Sequence, residues 1–521
     1  MQASTANLAA IIELSKQGAL VEARDMLAPY LEDHPGDIAA HKLCAEIHFK
    51  LGRRDDGFRC AMRAFELDQS DIDYGLDCAF NLVRAGRRND ALRVAQLIAE
   101  LSPESPYHCD TLGTVLTHCE VPEKAIPHFK HACALISDSP QFLFNLASAQ
   151  RMVGAVKEAE VSLDRALLLD PSDGAAHLAR SALRRQTPEE NHVKELTAAL
   201  ACAASANEKV SIGYALAKEL EDLAQYPQSF AHLAAASRLH RSQSAYDAGR
   251  ELGLLRALRQ LDYGSLLQGG IESDPGAMRP IFVVGLPRSG TTLVERIIGS
   301  VPGVRSAGES NVLAAEVWRV ATRDGRPADP QAALVGAVRK AAGEIGSNYV
   351  SSFAGRFDGA FIDKTPGNSI FAGLINAAVP GARIVCLRRN AMDSCYAMYK
   401  MLFWGAYPFS NDLAELADYY VEWDRLIRKW EEDLGDAWLT VNYEDIVRNP
   451  EPSMRRIIAH CCLPWDDACL RFHELDAPVT SASAGQVTRP LHRESVGLWR
   501  NYTTELGELA DRLRSAGIAV D

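Results

Sequence analysis

Ile281–Gly299 reads IFVVGLPRSGTTLVERIIG. The apolar run Ile281-Phe282-Val283-Val284 predicts a buried strand ending at Gly285. A tight loop, Leu286 to Gly290, follows. Thr291 and Thr292 then open a helix whose apolar face carries Leu293, Val294, Ile297 and Ile298. A strand that feeds a glycine-bracketed loop into a helix N-terminus makes an anion cradle, because unpaired backbone N–H groups and the helix dipole both favour negative charge there. Gly285 to Thr292 follows the spacing G-x-x-x-x-G-K-[ST] except that Thr291 stands at the Lys position. That lysine normally reaches the β- and γ-phosphates of a triphosphate. With Arg288 and two hydroxyls in its place, the loop suits a single terminal phosphate better than a magnesium triphosphate.

Within this loop, Pro287 to Thr292 is PRSGTT. Here the chain resembles the sulfotransferase family, whose 5′-phosphosulfate loop reads P-x-S-G-T-T or P-R-S-G-T-T. The resemblance implies 3′-phosphoadenosine 5′-phosphosulfate (PAPS) as donor and 3′-phosphoadenosine 5′-phosphate (PAP) as product. It also implies that Arg288, Ser289, Gly290, Thr291 and Thr292 grip the 5′ end, and that no metal is needed.

Further segments carry the resemblance along residues 279 to 505. Glu309 follows Gly308 and precedes a helix, a common place for a structural carboxylate. It resembles the Gly-Glu-Glu or Gly-Glu-Ser segment of protein-tyrosine sulfotransferases, and the resemblance implies that it is the general base for the acceptor hydroxyl. Phe361 to Asp363 reads as a strand ended by Lys364 and Pro366. A lysine at a strand's C-terminal end faces the ligand crevice of an α/β sheet, and the resemblance sets Lys364 beside the sulfuryl group with Arg288.

Ala382 to Arg389 is a third strand ending in two arginines. Arg389 matches the family's 3′-phosphate arginine. The serine expected eight residues on is Ala397, and Asn390-Ala391 replaces the usual Asp-Pro, so half of that clamp is missing. Ser394 and Lys400 are the remaining candidates on the same helix. Leu439 to Asp445 is a fourth strand and turn, with a helix from about Pro452 to Cys462. Its Tyr443 resembles a tyrosine beside the adenosine. Gln486 to Pro490 resembles the C-terminal segment whose basic residue, here Arg489, closes over the donor, with Ser481 to Gln486 as a lid.

Upstream, the sequence repeats. Gly18, Gly52, Gly86 and Gly154 fall on a 34-residue step, with Glu120 in the fourth slot. Ala23, Gly57, Ala91, Ala125 and Ala159 follow five residues later, and Ala45, Ala79, Gly113 and Ala147 precede the turns by seven. Pro35, Pro103 and Pro171 end second helices. This is the period of the tetratricopeptide repeat (TPR), in which small residues let paired helices cross closely. Repeats end near residues 37, 71, 105, 139 and 173. A further helix is expected over Ala175 to Arg185, and Thr187-Pro188-Glu189-Glu190 is a helix-start signature. The pattern predicts TPR repeats over 1–190, a divergent TPR-like region over 191–267 with a helix pair from Val210 to Arg241, a linker over 268–280, and an α/β sulfotransferase domain with a parallel sheet over 281–521. The fold class is thus an α-solenoid followed by a P-loop-like α/β domain. A solenoid's concave surface suits a protein or peptide.

The chain has 521 residues, a net charge of −13, 47% hydrophobic and 24% charged residues. That acidity excludes nonspecific nucleic-acid binding as a main role. No apolar run reaches the ~20 residues that span a bilayer, and the N-terminus lacks a secretory pattern. The twelve cysteines show no C-x-x-C pair and the fourteen histidines no H-E-x-x-H. The reading is reduced thiols in a cytoplasmic protein without a metal site, its oligomeric state left open with a homodimer as the candidate. Function is expected to be sulfuryl transfer from PAPS to a hydroxyl, with a protein tyrosine as the leading acceptor and a carbohydrate or small-molecule hydroxyl as the alternative. A kinase conflicts with Thr291 at the Lys position. A TPR adaptor with an inert nucleotide-binding domain is the reading that Ala397 favours.

Overall fold

The structure is a computed structural model that describes residues 2–267, 278–323, 325, 327–475, 489–491 and 495–521. It falls into two compact units, Met1–Leu183 and Arg184–Asp521.

The first unit is helical hairpins on the predicted period. The pairs are Gln2–Lys16 with Leu20–Asp33, Ile38–Lys50 with Arg54–Leu67, Ile72–Arg84 with Arg88–Glu100, Pro106–His118 with Pro122–Leu135, and Pro140–Met152 with Val156–Leu169. Gly18, Gly52, Gly86 and Gly154 turn each pair with φ of 82°, 73°, 75° and 77°, and Glu120 takes the same left-handed conformation at φ 65°. Glycine meets that demand without strain. The repeat ends read from the sequence are N-caps of the next helix. Asp37, Asp71, Ser139 and Asp173 each accept a backbone N–H from the first turn that follows, which satisfies a donor with no partner inside the helix. The small residues sit at the crossings: Ala23, Ala91, Ala125 and Ala159 are fully buried. A Cβ on Gly57 would come within 2.6 Å of the Phe49 ring, and one on Gly113 within 2.7 Å of Phe129.

Two expectations for this half of the chain are corrected. Cys44 and Cys60 are joined by a disulfide, with Cα atoms 5.9 Å apart, within the usual span of such bonds. The two face each other across one hairpin, a juxtaposition that scanning for adjacent cysteines does not reveal. His48 completes a cluster of potential metal-binding atoms there, all within 4.8 Å, but the disulfide engages both sulfurs. Thr187 to Glu190 is a closed turn, with Thr187 and Glu190 exchanging backbone bonds of 3.1 and 3.2 Å. The helix starts later, at Val193, where Asn191 accepts the first amide at 3.3 Å. His192 is the N-cap with Asn191 just before it, and the Thr-Pro-Glu-Glu run closes on itself.

The second unit is built on a five-stranded, all-parallel sheet in the order β2-β3-β1-β4-β5. The strands are β1 Arg279–Gly285, β2 Arg305–Ser306, β3 Ala360–Asp363, β4 Arg383–Arg388 and β5 Trp438–Asn442. The short β2 lies at the edge. Both faces of β1 are covered, as a continuous apolar run in a parallel sheet requires. On one side Ile281 and Val283 pack with Leu293, Val294, Ile297 and Ile298 of the helix Thr291–Gly299 and with Met454 and Ile457 of Pro450–His460. On the other, Phe282 lies 5.4 Å from Tyr349, which continues into Phe353 and Phe361. Strand order reverses direction between β1 and β4, so the crevice at their C-terminal ends is the switch point where ligands of such sheets bind.

The helices Ala206–Asp222 and Tyr226–Ser242 form a hairpin turned at Ala224, φ 58°. They belong to the same unit as the sheet. Glu221 accepts hydrogen bonds from Tyr396, Tyr502 and Lys400 at 2.5, 2.9 and 2.6 Å, and Arg241 makes a two-pronged pair with Glu415 at 2.7 Å. Most of the proposed linker, 268–277, lies outside the described residues.

Candidate functional site

Every strand end delivers a polar side chain or loop to one edge of the sheet. After β1 comes the loop Leu286–Gly290. Gly285 has φ 150° and Gly290 φ 107°. A Cβ on Gly285 would sit 2.6 Å from the Leu387 carbonyl oxygen, and one on Gly290 2.7 Å from the Tyr443 ring, so both glycines are fixed by neighbours as well as by backbone conformation. Ser289 is buried and its hydroxyl donates to the Leu286 carbonyl at 2.7 Å, which closes the loop. Thr291 and Thr292 are buried at the helix start, where first-turn amides point out of the helix end.

Arg288 takes a left-handed backbone, φ 65°. Burial and then the neighbouring Arg389 push its guanidinium down to about 10. Arg389 donates to the Arg288 carbonyl at 3.3 Å and lies 5.1 Å over the Tyr443 ring. The Arg389 Nε is buried with no hydrogen-bond partner among the described residues. Tyr443, at the end of β5, meets the Ser495 hydroxyl at 3.2 Å. The structure thus brings Arg288, Arg389 and Tyr443 together around the loop. Two cations held side by side, one with an orphaned donor, have the chemistry of an anion site.

Across the loop helix, Lys364 is the other convergence point. Its side chain is 3% exposed, and Nζ lies 2.5 Å from Glu309 Oε1 and 3.6 Å from Glu295 Oε2. Glu309 is 54% exposed. Its loop is held because the Lys364 amide donates to the Gly308 carbonyl at 3.0 Å. Below, Asp363 is fully buried, accepting from Tyr349 and Thr365 at 2.9 and 2.7 Å.

Residues 280–467 match the sulfotransferase family. The chain is 27% identical over 319 residues to an uncharacterised protein of Aquifex aeolicus (strain VF5), which is 59% of this chain and 41% of that protein. It is 25% identical over 234 residues to protein-tyrosine sulfotransferase 1 of Danio rerio, 42% of this chain and 65% of that protein. Both alignments span less than two thirds of the relative. Among solved structures, YrrB, described as a TPR protein with an unusual peptide-binding site, is matched over 39% of this chain and 96% of its own, at 16% identity and TM-score 0.26.

In the second unit the 3′-phosphate substitutes named from the sequence are engaged elsewhere. The Lys400 ammonium sits 2.6 Å from Glu221, and the Ser394 hydroxyl donates to the Arg389 carbonyl at 3.4 Å. Ala397 is half-buried on the same helix, Ala391–Tyr399. Arg489 is exposed, and the segment read as a lid, 481–486, lies outside the described residues. No helix among the described residues is long and apolar enough to cross a membrane.

The sequence reading passed over Glu295, Ser306 and Asp363. Burial pushes the Asp363 carboxyl up from 3.8 to about 6. The folded state therefore holds this proton more tightly than the unfolded chain. The resulting stability is present below about pH 4 and is lost as pH rises to about 6, a change of roughly 3 kcal/mol. We expect Asp363→Asn to flatten the stability curve of the domain by that amount between pH 4 and 7, read from urea unfolding at each pH. An unchanged pH dependence would place the titrating group elsewhere.

Proposed function

We propose that this protein transfers a sulfuryl group from PAPS to a hydroxyl acceptor, and that the acceptor is a tyrosine of a protein or peptide recognised by the helical repeats. The observation that carries the reading is the Glu309–Lys364 pair at the same sheet edge as the PRSGTT loop. Arg288, Ser289, Gly290, Thr291 and Thr292 would hold the 5′-phosphosulfate, and Arg389 and Tyr443 the nucleoside end with its 3′-phosphate. In the reaction the acceptor oxygen bonds to sulfur as the bond from sulfur to the bridging phosphate oxygen breaks. Glu309 accepts the hydroxyl proton. Lys364 and Arg288 face the charge that grows on the bridging and sulfuryl oxygens. PAP leaves with that bond's electron pair. A tyrosine acceptor is supported by the similarity to protein-tyrosine sulfotransferases and by a repeat unit of the kind that presents binding surfaces.

Titration calorimetry of the full chain with PAP tests the donor site, and binding is the expected result. No heat at millimolar PAP would overturn the transferase reading and leave an adaptor. Incubation of a protein library with labelled PAPS, followed by mass spectrometry, then identifies the acceptor. Label on carbohydrate or small molecules alone would overturn the tyrosine assignment.

A further inference from the structure

Glu295 lies on the helix Thr291–Gly299, one turn after Thr291 and on the side facing β2 and β3. Val294 and the buried Arg296 flank it, and the Glu295 side chain is only 16% exposed. Its Oε1 accepts from the Ser306 hydroxyl at 2.6 Å, and its Oε2 is 3.6 Å from Lys364 Nζ. Ser306 Oγ in turn accepts the Gly308 amide at 2.9 Å. The Gly308 carbonyl accepts the Lys364 amide, and Lys364 Nζ reaches Glu309. The contacts close a ring: Glu295, Ser306, the Gly308 loop, Glu309, Lys364 and back to Glu295. One ammonium therefore sits between two carboxylates of opposite character. Glu295 is buried and tethered, whereas Glu309 is more than half exposed.

We propose that Glu295 is the positioning residue of Lys364: with Ser306 it anchors the ammonium from below, so that Glu309 can leave the pair and take the acceptor proton while Lys364 stays aimed at the transferring group. This rests on the sulfuryl-transfer reading. The physical need is plain in the geometry. Lys364 at 2.5 Å from Glu309 neutralises the carboxylate that must act as base. Once Glu309 is protonated it no longer holds a cation, and a lysine without a second partner would drift from its place. Burial raises the proton affinity of the Glu295 carboxyl, and Lys364 acts against that rise. The other charged groups near Glu295 are Glu309, Asp363 and Arg296. Arg296 is turned away onto the carbonyls of Phe472 and Leu475, so Lys364 is the cation Glu295 meets in the ring.

The experiment compares wild type, Glu295→Gln, Glu295→Asp and Ser306→Ala, using PAP calorimetry and turnover with labelled PAPS on an acceptor found in the library screen. Expected for Glu295→Gln is a fall in kcat of about 10²-fold, the scale of a misplaced catalytic group, with the donor KM and PAP affinity unchanged. Glu295→Asp recovers part of the loss, and Ser306→Ala shows the same split in smaller measure. A crystal structure of the wild-type PAP complex should show Lys364 still on Glu295 and released from Glu309. Wild-type kcat in both Glu295→Gln and Ser306→Ala, or Lys364 leaving Glu295 while keeping Glu309, overturns the inference alone. Loss of PAP binding together with turnover in Glu295→Gln and Ser306→Ala marks a merely structural role and overturns it too. A wild-type protein that neither binds PAP nor transfers label overturns the sulfuryl-transfer reading first, and the inference with it.

Discussion

Replacing Glu309 by alanine is expected to lower turnover by about 10²–10⁴-fold with PAP affinity intact. Glu309 sits after β2 and contacts the site through Lys364, not through the loop that would hold the donor. Its exposure leaves room for an acceptor to approach, and a phenol or alcohol is a weak nucleophile until a positioned base takes its proton. Glu309→Gln sharpens the test. Glutamine still meets Lys364 with its carbonyl oxygen but cannot accept the proton, so it should be as slow as alanine. Turnover of either variant at the wild-type rate would remove the base assignment. A loss of PAP affinity in both would instead place Glu309 in donor binding.

Much of this site was legible because each contributing segment is a short strand ending in a chemically marked residue. The loop helix begins at Thr291 as read, and β1, β3, β4 and β5 lie where the apolar runs put them. The repeat was legible for a different reason. Turn geometry is local, so a left-handed position every 34 residues writes itself as glycine, and Glu120 shows that the period survives one exception. β2 was harder, because two residues at a sheet edge carry no periodicity.

What escaped is what depends on distant partners. Glu295 was visible as a charged residue on an apolar helix face, one turn from the loop, yet nothing local says that Ser306 and Lys364 meet it. The same holds for the Cys44–Cys60 bond, formed across a hairpin rather than along a motif. Lys400 looked available for a phosphate because Glu221, its partner, is 179 residues away in sequence.

The pair Arg388-Arg389 shows most clearly how two identical residues divide, and it yields the second large prediction. Arg388 is the last residue of β4 and Arg389 the first beyond it, and their side chains part. Arg389 turns to the Leu286–Gly290 loop, whereas Arg388 turns to Asp424 of the helix Leu413–Leu434 and donates to its carboxylate. Asp424 is 2% exposed and Arg388 18%. Burial works against the Arg388 charge, but Asp424 and Tyr420 together act the other way and the net shift is upward. Asp424→Ala leaves a buried guanidinium without its carboxylate, a change that costs about 3–5 kcal/mol. Arg428, which also bonds Asp424 at 2.8 Å, is 60% exposed and adds little when released. All seven tryptophans lie between Trp318 and Trp499, so urea unfolding followed by tryptophan fluorescence reports this domain alone. The midpoint of Asp424→Ala should fall well below wild type. The double variant Arg388→Met with Asp424→Leu should return close to wild type, because replacing a buried pair by apolar groups is often neutral. PAP affinity should follow the same order, since the end of β4 carries both arginines. An Asp424→Ala protein that unfolds at the wild-type midpoint would mean that Arg388 is solvated, and that the strand end offers two arginines to the donor instead of one.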